Sequence, residues 1–317
     1  MACRASGGGH SEKPGIRAQP ECARRWVLPT KRPGEALPRW QPAEDDDARL
    51  PRDWYTTDLW TTFGLKFIDE AALAKKPFFL YLAHNAPHFP LQAPEDAIAK
   101  FRGKYKAGWD ALRPQRQRKQ VELGLVDPAS TPAPRPVAIA AWDNPTDEEK
   151  DQFDHLMAVY AAVVFRMDQA IGDLVAGLKQ RGVFDNTLIL FMSDNGGNAE
   201  SGPQGRREGN PVKPGSNWFC GESWAFLQNT PFRRYKHYNH EGGIATPLIA
   251  SWPAGIAGRN ELRTQPSHLI DIVATPDKTR ELTALWEAWA DRAQVRPYPE
   301  TVAGKKAKGQ KQAPAEK

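Results

Sequence analysis

At 317 residues the chain can bury a large core as one large domain or two ordinary ones, and its three cysteines are too few for a disulfide framework. Its formal charge of +5 points to nucleic acid only until it is located: residues 1–43 hold eight Lys/Arg against three Glu, and residues 301–317 five Lys against one Glu, leaving residues 44–300 at about −4. The basic balance belongs to the ends, so a nucleic-acid partner loses its support, and no run of about eighteen apolar residues offers a membrane span.

Residues 1–45 combine Gly7-Gly8-Gly9 with scattered prolines and show neither helical nor strand period, which predicts an irregular or disordered segment. No continuous apolar core of a signal peptide is visible in the first thirty residues, so the chain leaves its localisation open. Residues 58–73 carry Leu59, Phe63, Phe67, Ile68 and Ala71 at helical spacing, stopped by Lys75-Lys76-Pro77. Residues 78–83 read as a buried strand. A turn with His88 between Pro87 and Pro90 follows, where fixed backbone suits either a directed imidazole or a plain loop histidine.

Residues 95–127 are predicted helical with a break at Pro114, and residues 129–136 a proline-rich loop. Thr146 and Glu149 form a capping-box pattern that starts a long amphipathic helix, ended by Gly182. Leu188–Ser193 is apolar and unbroken apart from its final serine, the pattern of a strand buried on both faces in a parallel sheet. It runs into Asp194-Asn195-Gly196-Gly197. That turn is either a plain strand end or a place where a carboxylate and an amide oxygen meet a hard cation.

Residues 198–230 read as one long loop, of a length that is often functional. Lys236, His237 and His240 then cluster before Gly242-Gly243, and residues 246–252 form a further short strand. Residues 268–274 and 282–290 are helix-like, and the Lys-rich tail 301–317 is expected to be disordered. Helix-then-strand order predicts an α/β class with a layered mixed sheet flanked by helices.

His88, Asp194-Asn195 and Lys236 stand at the ends of apolar runs. A proton carrier, a cation site and a fixed positive charge make sense together around an anionic ester of sulfate or phosphate. The blocks Pro77–Ala83, Asn85–Pro94, Gly108–Asp110, Asn186–Gly197, Lys236 and His240–Pro247 resemble, in order, the sulfatase family, most closely bacterial arylsulfatases of the alkaline-phosphatase superfamily. The resemblance implies an alkaline-phosphatase-like fold and hydrolysis of a small-molecule or glycan sulfate ester. It implies calcium held by Asp194 and Asn195, and a sulfate group contacted by His88 and Lys236. His240, beside that block, is at best a supporting substrate contact. The family's formylglycine, made from Cys or Ser, would attack sulfur. Its members are expected to be periplasmic or secreted.

The departures matter equally. An upstream Asp-Asp metal pair, a Cys-x-Pro-Ser/Ala-x-Arg signature and a Lys-x-His segment do not occur in this sequence. Cys3-Arg4-Ala5-Ser6 imitates only the start of the signature, with Gly7 where arginine is required, and Cys220 fits an ordinary loop thiol. The expected organisation is residues 1–45 unmatched, 46–275 a partial sulfatase domain, 276–300 a remnant C-terminal helical segment after an internal deletion, and 301–317 tail. Such a truncated chain would hold half a calcium site and be inactive or nearly so. Two other readings stay open. One is a phosphodiesterase or phosphatase of the same superfamily, with His237, His240 and His268 as added zinc ligands; the other is a non-catalytic binder of sulfated polyanions.

Overall fold

Among the described residues of the computed structural model the α-helices are α1 (Thr56–Leu73), α2 (Glu95–Ala99), α3 (Gly108–Glu122), α4 (Asp147–Gln180), α5 (Gly221–Gln228) and α6 (Glu241–Ile244), and the strands are β1 (Ile189–Met192), β2 (Arg206–Glu208), β3 (Asn217–Phe219) and β4 (Leu248–Ser251). The structure describes residues 54–258 and 260–263. The chain divides into two compact units, Met1–Arg259 and Asn260–Lys317, and every element named here belongs to the first. The expectations for residues 1–45, 268–275, 276–300 and 301–317, and for Cys3, lie outside the described residues.

The 34-residue α4 is the frame. Thr146 Oγ1 accepts from the Glu149 N–H, and the Glu149 carboxylate accepts from the Thr146 N–H, so the predicted capping box is complete. At the other end Gly182 takes φ +67°, the left-handed exit a glycine allows. Its apolar stripe meets α1 on one side, where Thr61 Oγ1 donates to Ala170 O at 3.0 Å. Two ion pairs, Arg166–Asp58 and Arg181–Asp69, staple the same two helices. On the other side Asp154, fully buried, accepts from the Gly103 and Tyr105 N–H groups at 2.9 Å and pairs with Arg102. A buried carboxylate that is fully partnered costs little; without those partners it would be strongly destabilising.

The core joins α3, α4 and α5 through aromatic rings. Trp109 makes edge-on contacts with Trp142, Phe153 and Trp224 at centroid distances of 4.7, 5.1 and 5.4 Å, the arrangement their quadrupoles favour. Pro114 lies inside α3 and does not break it. Tertiary anchoring overrides its local cost: Trp109 is 1% exposed, and the Arg113 guanidinium, 4% exposed, donates to the carbonyls of Phe226, Pro231 and Phe232.

The strands differ from their sequence expectation. β1 pairs antiparallel with β4, Ile189 opposite Ser251 and Met192 opposite Leu248. Among the described residues it has no second neighbour. Phe191 and all of β4 are exposed, so this two-stranded sheet is not buried on both faces. An apolar run records only that a strand can be covered, and here no described layer covers it. Residues 78–83 are extended without a described ladder partner. Phe78, Leu80 and Leu82 are half-buried and alternate with exposed Phe79 and Tyr81, and the Leu80 and Leu82 side chains approach Gly64 of α1. The predicted loop 198–230 is instead structured: β2 and β3 form an antiparallel hairpin and α5 follows, packed into the core. The described residues form a mixed α/β assembly whose core is built mainly from helices and joined by Trp218 of β3, with the β1–β4 pair exposed.

Candidate functional site

The turn after β1 and the Gly242-Gly243 turn of α6 lie against each other with no room for side chains. A Cβ on Gly196 would stand 1.7 Å from Gly242 O, and one on Gly242 would stand 2.0 Å from Arg234 O. Only glycine permits this approach. Backbone bonds lock it: Gly196 N–H donates to Gly243 O at 3.1 Å, Gly242 N–H to Arg233 O at 3.0 Å, and Lys236 N–H to Gly197 O at 3.1 Å. Asn229 Oδ1 accepts from the Gly197 N–H while its amide donates to Arg234 O. The result fixes Lys236 beside the Asp194–Gly197 turn, although some forty residues of chain separate them.

The Lys236 side chain then reaches His88. Its Nζ lies 3.1 Å from His88 Nε2, and His88 Nδ1 lies 2.8 Å from Phe89 O. A carbonyl can only accept, so Nδ1 carries the hydrogen, and Nε2 offers its lone pair to the ammonium. Phe89 stacks on Phe219 of β3 at 3.9 Å, which anchors the loop bearing His88. The second neighbour of Lys236 is Glu200, with Oε1 at 3.8 Å from Nζ; the same oxygen accepts from His237 Nε2 at 2.9 Å. Burial acts to raise the Glu200 carboxyl. The His237 hydrogen bond, its own backbone and the Lys236 charge outweigh that and hold it below the usual range.

Asp194 is exposed and Asn195 half-buried, and neither side chain engages a described partner. A carboxylate and an amide oxygen left free at a turn have the right donor chemistry for calcium, which takes about six to eight oxygens. They would supply two. Among the described residues no cluster of three or more His, Cys, Asp or Glu stands ready for a metal. His240 is separate from the pair: it caps the start of α6 and lines a cleft of about 420 Å³ with Ser130, Thr131, Phe232 and Arg233. No described hydrogen bond or ion pair joins its ring to His88 or Lys236. Cys220 is buried in the core, and burial pushes its thiol up to about 12, so it is no nucleophile. Glu200 was not predicted as a site residue, its only signal being a lone carboxylate just beyond Asp194; His237 was named only as a zinc ligand of the phosphatase alternative, and here its ring engages Glu200. His84, in phase with the half-buried face of residues 78–83, has both ring nitrogens buried without a described partner.

A family model described as Sulfatase matches residues 29–276. The chain is 35% identical over 223 residues to an uncharacterized sulfatase of Schizosaccharomyces pombe, covering 65% of this chain and 40% of that protein. It is 32% identical over 253 residues to an arylsulfatase of Klebsiella aerogenes, covering 76% and 54% respectively. Among solved structures, Ps i-CgsB in complex with k-i-k-neocarrahexaose matches with 25% identity and a TM-score of 0.37, over 78% of this chain and 38% of that one. The chain thus spans about half the length, or less, of these relatives.

Proposed function

The chain belongs to the sulfatase family, and we propose that the His88–Lys236 pair and the Asp194–Gly197 turn are the sulfate-gripping part of a sulfate-ester hydrolase. One observation carries this: Lys236 Nζ stands 3.1 Å from the Nε2 lone pair of His88, with its backbone tied to the turn bearing the free Asp194 and Asn195. An ester R–O–SO₃⁻ presents peripheral oxygens that need positive charge and a bridging oxygen that needs a proton as it leaves. The Lys236 ammonium turns from Nε2 to the peripheral oxygens, and His88 Nε2, released, takes up a proton from solvent and delivers it to the bridging oxygen as the alcohol leaves. Calcium, held in part by Asp194 and Asn195, would neutralise further sulfate charge when bound.

Attack on sulfur belongs in the family to formylglycine, and its Cys-x-Pro-Ser/Ala-x-Arg precursor does not occur in the 317 residues. The chain by itself therefore binds sulfate oxyanions and turns over esters barely above background. The test is a chromogenic aryl sulfate assay of the purified chain with calcium, beside a sulfate titration followed by NMR. Binding weakened on the order of tenfold by Lys236→Ala is expected. Sulfate binding insensitive to both Lys236→Ala and His88→Ala, or ester turnover well above background that survives both, would refute the assignment. Substrates are sulfate esters of small molecules or glycans, and the periplasm or cell exterior is the compartment that family membership favours.

A further inference from the structure

We propose that Glu200 is a positioning residue that holds the Lys236 ammonium against His88, with His237 clamping its carboxylate from the far side. Four side chains form one row: His237 Nε2 to Glu200 Oε1 at 2.9 Å, Glu200 Oε1 to Lys236 Nζ at 3.8 Å, and Lys236 Nζ to His88 Nε2 at 3.1 Å. Lysine needs such support, because its four-carbon stem is flexible and its three donors rotate freely. The carboxylate itself is placed by its backbone, whose N–H donates to Asn198 Oδ1 at 3.0 Å. Its second oxygen, Oε2, is buried without a described partner.

The clamp is built at a cost. His237 sits at φ +77°, in the left-handed region that disfavours a side chain. Its neighbour Lys236 is pinned to Gly197, so this backbone turn is what brings the imidazole onto Glu200. A carboxylate beside an anion-binding lysine opposes anion binding by simple charge, and that makes its role decidable. If Glu200 only contributed its charge, removing it would tighten sulfate binding. If it positions Lys236, removing it loosens binding, because the ammonium swings away from His88.

The sulfate arm of the test rests on the reading of the site given above; the His88 arm does not. In long-range ¹H–¹⁵N spectra of the full chain, Lys236→Ala displaces the His88 Nε2 resonance as its hydrogen bond is lost. Glu200→Ala is expected to displace it in the same direction, and Glu200→Asp to restore part of the shift. Sulfate affinity, by titration, falls several-fold in Glu200→Ala. A His88 resonance that moves in Lys236→Ala and stays in place in Glu200→Ala overturns the proposal, as does tighter sulfate binding in Glu200→Ala. Should Lys236→Ala move the resonance without changing sulfate affinity, the sulfate assignment fails and the positioning role stands or falls on the resonance alone. Where the alanine variant melts below the working temperature, isosteric Glu200→Gln replaces it, with the same direction of shift expected.

Discussion

Gly196 shows how little space the site has to spare. A methyl there would overlap Gly242 O, an atom of backbone that cannot rotate away. Gly196→Ala is therefore expected to destabilise the chain by about 1–3 kcal/mol or more and to separate Lys236 from the Asp194 turn. Thermal melting combined with the His88 resonance checks both, and a variant with unchanged melting and unchanged resonance would contradict the close packing described. The structure sets Lys236 beside His88 and ties its backbone to the Asp194–Gly197 turn, and at this scale His88, Asp194, Asn195 and Lys236 all stood out in the sequence as candidates. Glu200 did not, because a carboxylate in a glycine-bearing loop has no local pattern. Its meaning comes from His237 and Lys236 folding back onto it across the Gly242-Gly243 turn.

Among the elements, α3 and α5 are joined by a buried cation as well as by the Trp109–Trp224 ring contact. Arg113 donates to the carbonyls of Phe226, Pro231 and Phe232 and lies over the Phe226 ring at 3.9 Å. Burial lowers its pKa to about 10, still far above neutrality, so it remains charged. Arg113→Ala would orphan those acceptors and is expected to cost about 3 kcal/mol or more. Arg113→Lys would rescue little of it, since an ammonium cannot span three carbonyls. Urea unfolding of the two variants measures this. The segment released, residues 226–232, leads directly to Lys236. Helix ends were legible in the residues: Thr146 with Glu149 started α4 and Gly182 ended it. Strand partners were not. The run 188–193 is compatible with either sheet type, and the β4 segment that pairs with β1 lies about sixty residues further on. Pro114 misled because the anchoring of Trp109 and Arg113 is tertiary.

For the whole molecule, acid should act in two stages. Burial holds the His84 and His155 imidazoles below their ordinary value of 6.5, so their neutral forms support the fold above that pH. That support is lost as pH falls below 6.5 through their folded values. Asp151 and Asp69 are held below the carboxylate range by Arg102 and Arg181 respectively, and Glu200 is also held low, its partners outweighing its burial. Their contribution is complete above that range and disappears beneath it. Melting temperature should hold from pH 8 to about 7, begin to fall near 6.5, and fall again in the carboxylate region. A melting temperature unchanged from pH 7 to about 5 would contradict the first stage. The fold class was legible from helix and strand order, whereas the exposure of β1 and β4 depends on layers that no local pattern reports.

If Lys236 grips a sulfate oxyanion, an NMR titration of the intact chain with sodium sulfate registers the loss of that grip. Lys213, in the loop between β2 and β3, gives the control substitution. Lys236→Ala is expected to weaken sulfate binding on the order of tenfold while Lys213→Ala leaves it within about twofold. Equal losses in the two variants, or no loss in Lys236→Ala, would contradict it.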